Sequence, residues 1–214
     1  MIIPSLSTIL LFMLTALALN FTPGPSILYI LSRVLGQGRQ AGIVSALGLA
    51  TAAVVQALTG AAGLSSLLLY SPLAFAVVQY CGAAYLIYLG VRGLHSGGIA
   101  GTAAVVANRQ RQSLQAIYWQ GVLTDLLNPK LLIFFFSFLP QFVDPAAGAP
   151  GAQILFFGLL FQVTALPTNL LVAIIGGALA GLLARRPFWA RVQMWLSSAV
   201  LIGLGLKLAL YGRR

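Results

Sequence analysis

Apolar residues in this chain come in long unbroken runs rather than in alternation with polar ones. Met1–Ser32, Gln40–Val91 and Pro145–Ala184 contain no charged side chain. A helix crosses the hydrocarbon core of a bilayer with about 20 apolar residues, so each run holds one span or two. Six spans account for the pattern: Pro4–Ser32, Ala41–Leu69, a third from Ser71-Pro72 to Val91, Leu114–Leu139, Ala152–Leu183 and Val192–Leu210. Proline interrupts the first near Pro23 and the fourth at Pro129, while Pro167 inside the fifth reads as a simple kink. The predicted fold class is all-α integral membrane, about six transmembrane helices with the first and fourth broken.

Composition supports lipid as the solvent. Of 214 residues, 60% are hydrophobic and 7% charged, against roughly 25% charged in a soluble domain. The net charge of +10 would suggest nucleic acid in a soluble protein. Here the basic residues cluster between apolar runs, where they anchor and orient spans, and no basic patch interleaved with polar aromatics exists. Loop one holds Arg33 and Arg39, loop three Arg92, Arg109 and Arg111, loop five Arg185, Arg186 and Arg191. Loop two has no basic residue, and loop four, Pro140–Gly151, has none and carries Asp144. The positive-inside rule then puts the odd loops in the cytoplasm and both termini outside. Arg213 and Arg214 oppose this, and a five-span chain would end inside. Ala16-Leu17-Ala18 resembles a cleavage site, but no Lys or Arg precedes it, so the first segment is expected to be retained. Cys81 and His95 stand alone, so neither a disulfide, a metal nor a cofactor is expected.

The two halves resemble each other. Ala84-Tyr85-Leu86-Ile87-Tyr88-Leu89-Gly90-Val91-Arg92 aligns with Ala199-Val200-Leu201-Ile202-Gly203-Leu204-Gly205-Leu206-Lys207, and Pro23 and Gln56 pair with Pro129 and Gln162 at a different offset. A duplicated three-span unit must insert in opposite orientations, the inverted-repeat plan of many secondary transporters. The expected organisation is one membrane transport domain: a first three-helix repeat over 1–96, a polar, basic cytoplasmic linker over 97–113, and a second repeat over 114–214.

The sharpest chemistry lies at the two interruptions, Asn20-Phe21-Thr22-Pro23-Gly24-Pro25-Ser26 and Asp125-Leu126-Leu127-Asn128-Pro129-Lys130. Thr22 and Asn128 suit helix N-caps, and proline suits the first helical turn that follows each. Irregular backbone is tolerated in a membrane only inside protein or beside a water-filled cavity, and half-helix N-termini attract a carboxylate. The expected solute-binding residues are Thr22, Pro23, Gly24, Pro25, Gln56, Asn128, Pro129, Lys130 and Gln162. Asp125 is the one carboxylate within a predicted span, which makes it the candidate proton carrier; five residues across the break, Lys130 can pair with it, tune it or meet a solute carboxylate. No nucleophile–base pair, carboxylate pair or metal cluster suggests an enzyme.

Several segments together resemble the lysine exporter and homoserine/threonine exporter family, the LysE/RhtB type. They are Thr22-Pro23-Gly24-Pro25, Gly42-Ile43-Val44-Ser45-Ala46-Leu47-Gly48, Gly82 to Gly90, Gln120-Gly121, Asn128-Pro129-Lys130, Phe134-Phe135 and Leu139-Pro140-Gln141-Phe142. The resemblance implies a multi-pass protein of the bacterial plasma (inner) membrane. It would export amino acids or related small zwitterions, driven by the proton gradient. The expected partners are such a solute, protons and lipid, with no nucleic acid; a homo-oligomer stays an open alternative. Family members often have Asn where this chain has Asp125 and Ser26. The rival reading from the residues is a passive channel for small solutes.

The loop charges generate a prediction. Single cysteines at positions Gln110 and Gly148, in a Cys81→Ser background, should label from opposite sides of the membrane; labelling from one side would exclude the expected topology.

Overall fold

The computed structural model describes residues 4–22, 24–70, 72–95, 111–185 and 187–211. No strand occurs among them. The α-helices among the described residues are α1 (Leu6–Phe21), α2 (Pro25–Gln37), α3 (Arg39–Tyr70) and α4 (Pro72–His95), then α5 (Leu114–Leu126), the short α6 (Pro129–Ile133), α7 (Pro150–Arg185) and α8 (Pro187–Tyr211). A π turn, Phe134–Phe138, and a 3-10 turn, Leu139–Phe142, continue α6. Most of the linker expected over 97–113 lies outside the described residues, as does Pro23.

The local signals are those that stop and start helices. The Ser5 and Ser113 hydroxyls each accept an N–H three residues on, capping α1 and α5. Gly38 alone joins α2 to α3; its φ of 86° lies where a side chain would strain the backbone. By length and composition α3 and α7 can each cross a membrane alone. The pairs α1–α2 and α5–α6 bend by 48° and 44° at their breaks, and each can cross as one broken span. The first broken segment reaches Gln37 rather than Ser32, and the last helix begins at Pro187 rather than near Val192. Arg33, expected in a loop, is therefore inside α2, and buried.

Helix α3 packs antiparallel to α7: Gly60 faces Ile154, Ala57 faces Gly158, and Gly42 faces Ala173. Helices α4 and α8 are likewise antiparallel, with the Gln79 amide on the Leu208 carbonyl at one end and Gly90 against Ser198 at the other. Their contact is reciprocal. A Cβ on Gly90 would lie 2.6 Å from Ile202 Cγ1 and 2.9 Å from the Ser198 carbonyl oxygen. A Cβ on Gly205 would lie 2.7 Å from Ile87 Cγ1 and 2.8 Å from the Ala83 carbonyl oxygen. Gly90 and Gly205, and Ile87 and Ile202, are the positions that align between the two halves, so this contact has local two-fold character.

Two apolar clusters flank the breaks. One is aromatic, with Phe12, Phe134, Phe135, Phe138, Phe157 and Phe161 buried together and ring centroids as close as 4.9 Å. The other is aliphatic, centred on Ile27, Ile30, Leu31, Leu49 and Ala173. Outside, Leu14, Val163 and Leu196 are more than 60% exposed, an apolar periphery that suits lipid and not water.

The reciprocal contact predicts that Gly90→Ala and Gly205→Ala destabilise the protein alike. Each methyl meets a carbonyl and an isoleucine, an overpacking cost of about 1–3 kcal/mol. Thermal unfolding in detergent should show similar drops for both; a drop for one alone would break the equivalence.

Candidate functional site

The two breaks meet inside the bundle. Helix α1 ends at Phe21, and Thr22 turns the chain out of it: its N–H bonds the Leu19 carbonyl at 3.0 Å and its Oγ1 the Ala18 carbonyl at 2.9 Å. Thr22 thus closes the first half-helix and does not cap the second, correcting its expected role. The N-cap of α2 is Gly24, without a side-chain bond, and Pro25 fills the first turn. At the second break Asn128 acts as expected: its Oδ1 accepts the Lys130 N–H at 3.1 Å, with Pro129 opening α6.

Lys130 joins the breaks. It is 7% exposed, and its Nζ donates to the carbonyls of Leu19 at 3.0 Å and Thr22 at 2.8 Å. A helix C-terminus leaves carbonyls unpaired and carries partial negative charge, so an ammonium there answers both needs. Gly24 makes room for it. Its φ of −155° is extended backbone open to any residue. A Cβ there, however, would lie 3.3 Å from Lys130 Nζ and 3.4 Å from its Cδ.

Asp125, 3% exposed, faces the start of α2. Its Oδ1 accepts from Ser26 Oγ at 2.5 Å and from Asn128 Nδ2 at 3.3 Å. Asn128 Nδ2 also donates to Ser26 Oγ at 2.9 Å. A pairing of Asp125 with Lys130 is not what the structure contains: the carboxylate bonds a hydroxyl and an amide, the ammonium two backbone carbonyls. The reason is geometric, since the broken turn points the two side chains at different parts of the first break. Ser26, absent from the expected set, could have been suspected as the hydroxyl directly after Pro-Gly-Pro. It and Asp125 are the two noted departures from the family pattern, and they bond each other.

A cavity of about 20 Å³ sits at this crossing, lined by Asn20, Ser26, Asp125, Lys130, Gln162 and Asn169 among others. That is room for about one water. Gln162 Oε1 is buried without a partner, an acceptor beside the cavity. Gln56 stands behind the site: its Nε2 donates to the Asp125 carbonyl at 2.9 Å, it does not line the cavity, and its Oε1 is also unpartnered. The crossing therefore holds one carboxyl group, one amine and amide groups in a water-poor setting. Among the described residues no group of three or more His, Cys, Asp or Glu could hold a metal.

Enclosed, paired helix breaks are a common plan of membrane transport proteins, and sequence comparison says which kind of protein this is. The pattern of the LysE type translocator family matches residues 17–212. The chain is 34% identical over 190 residues to an uncharacterized membrane protein of Pseudomonas aeruginosa, covering 87% of this chain and 88% of that one. It is 26% identical over 202 residues to the leucine efflux protein of Salmonella typhimurium, covering 92% of each. The leucine efflux protein of Klebsiella pneumoniae is 27% identical over 206 residues, covering 94% of this chain and 93% of its own. No solved structure matches. The chain belongs to the LysE type translocator family.

The Lys130 contacts predict a coupled pair of effects. Lys130→Met takes the amine from the Thr22 carbonyl and leaves the Leu19 carbonyl with the Thr22 N–H alone, and should destabilise by about 1–3 kcal/mol. Gly24→Leu displaces the same amine and should cost a similar amount, but much less in the Lys130→Met background. A double-mutant cycle on melting temperature in detergent checks this; additive losses would separate Gly24 from Lys130.

Proposed function

We propose that this translocator exports amino acids or related small zwitterions across the bacterial inner membrane, in antiport with protons, by alternating access of two inverted three-helix units. The observation that carries the reading is the crossing of the two breaks, with Asp125 and Lys130 each buried and each bonded to the other break. A zwitterion offers an ammonium for Asp125 and Gln162, and a carboxylate for Lys130. The leucine efflux relatives support an amino acid as the solute, and the reciprocal α4–α8 contact supports inverted units. The expected binding residues take graded parts. Thr22, Gly24, Asn128, Lys130 and Gln162 surround the crossing, Pro25 and Pro129 start the half-helices, Pro23 lies outside the described residues, and Gln56 steadies the turn carrying Asp125.

Enclosure favours a carrier over a passive channel. A channel needs a continuous polar path, whereas this cavity has room for about one water. A solute can be held only if the helices around the breaks separate, as alternating access requires. Proton coupling follows from the bonds of Asp125. Its charge strengthens the hydrogen bonds from Ser26 on α2 and Asn128 on the second break. Protonation removes that charge, loosens α2 from α5, and offers a route between states.

Asp125→Asn preserves shape but cannot titrate. It should retain solute exchange between equally loaded compartments and lose accumulation driven by a pH gradient. Radiolabelled amino-acid flux in inverted vesicles, with and without an uncoupler, measures both; full pH-driven accumulation by the variant would exclude Asp125 as the proton carrier.

A further inference from the structure

On α2, Ser26, Tyr29, Arg33 and Gln37 are spaced to lie along one face. That face meets α5 through polar groups. Ser26 bonds Asp125, Tyr29 Oη donates to the Ile117 carbonyl at 2.6 Å, Arg33 Nη2 donates to Gln120 Oε1, and Gln37 exchanges two bonds with the Gln112 backbone. This polar seam runs from the breaks to the end of the bundle where α2 meets α3, the end that carries Arg39 and Arg111.

Arg33 is the anomaly in the seam. It is 2% exposed, and its Nε is buried without a partner. The chain has only two acidic residues. Asp125 bonds Ser26 and Asn128, and Asp144 bonds the Ala146 N–H in the loop before α7. Neither serves Arg33, so this cation is buried with no anion of the protein's own, an expensive arrangement in a membrane-spanning segment. The Tyr29 ring lies 5.2 Å from the guanidinium carbon and steadies it from one face.

The donors of Arg33 show what would fit. Nε–H and Nη2–H form one edge of the guanidinium and point the same way, a fork that matches the two oxygens of a carboxylate. Here that edge holds one amide oxygen, from Gln120, on Nη2 alone. Half of a two-pronged anion site is filled by a neutral group that can be displaced.

We propose that Arg33 is a carboxylate-binding residue on the basic-end side of the breaks. Gln120 holds its side-on edge while the α2–α5 seam is closed, and the carboxylate of the exported amino acid takes that edge when the seam opens. The inference rests on the export reading and extends it: the solute meets Arg33 before it reaches Lys130. A seam of hydrogen bonds suits this because water can replace each bond as the helices part, whereas the aromatic cluster on the other side of the breaks offers water nothing to bond.

Two experiments decide it. In the first, Gln120→Glu places a carboxylate permanently on the fork. It should raise the melting temperature of the purified protein in detergent, and the gain should vanish in an Arg33→Gln background. Equal effects in both backgrounds would overturn the fork as a carboxylate seat, whatever the protein transports. In the second, radiolabelled L-leucine and the other common amino acids are tested for counterflow. For any that moves, Arg33→Gln should raise the half-saturating concentration about tenfold or more at the basic face and leave the opposite face unchanged. Arg33→Lys should recover part of the loss. Inverted vesicles and intact cells give the two faces. A loss of maximal rate equal at both faces, with half-saturation unchanged, is the signature of a merely structural arginine and would overturn the proposal. A wild-type protein inert to the whole panel would overturn the export reading, and the Gln120→Glu comparison would still decide the fork.

Discussion

Everything at the centre of this molecule depends on how a buried break in a helix finds hydrogen-bond partners. Lipid supplies none, and the bundle must. The C-terminus of α1 presents the Leu19 and Thr22 carbonyls to the interior, and Lys130 reaches across from the second broken span to bond both. The Lys130 amine is in turn stabilised by the partial negative charge of that helix end. Gly24 must be small so that the amine can pass, and Asn128 must cap α6 so that Lys130 begins its turn where it does. One ammonium thus ties the two breaks together and fixes the place of the cavity.

The two sides of this crossing are built from different materials. On one side the π turn after α6 packs rings against Phe12, Phe157 and Phe161. A π turn widens the backbone, and here it comes at the run Phe134-Phe135-Phe136, bringing Phe134, Phe135 and Phe138 into the same buried cluster. On the other side α2 and α5 touch through hydroxyl, amide, guanidinium and backbone groups. Dispersion between rings is lost when they part, with no compensation from water. A hydrogen-bonded seam exchanges partners with water at small net cost.

The family assignment and the geometry bear on each other at Ser26 and Asp125. The resemblance marked these two positions, and they are bonded partners. A carboxylate only accepts, and the Ser26 hydroxyl and the Asn128 amide each supply it with a donor. The pair attaches α2 to α5.

The sequence by itself determined the solvent, the helical class, the places of the breaks and the cap at Asn128. Each of these follows from properties that act over a few residues: apolar run length, proline's missing N–H, the reach of a short side chain to its own backbone. It also aligned Gly90 with Gly205, two positions that must both be small where α4 and α8 cross. Only the tertiary structure decided the partners. Asp125 and Lys130 are close in sequence and opposite in charge, yet each bonds the first break, because orphaned carbonyls and a hydroxyl come nearer than the opposite charge does. Arg33 read as a loop anchor because charge commonly marks the membrane surface. Its burial became visible only once α2 was seen to run on to Gln37 with α5 against it. Long-range placement of polar groups in an apolar bundle is set by which helices pack together, and that information is spread over contacts between residues far apart in the chain.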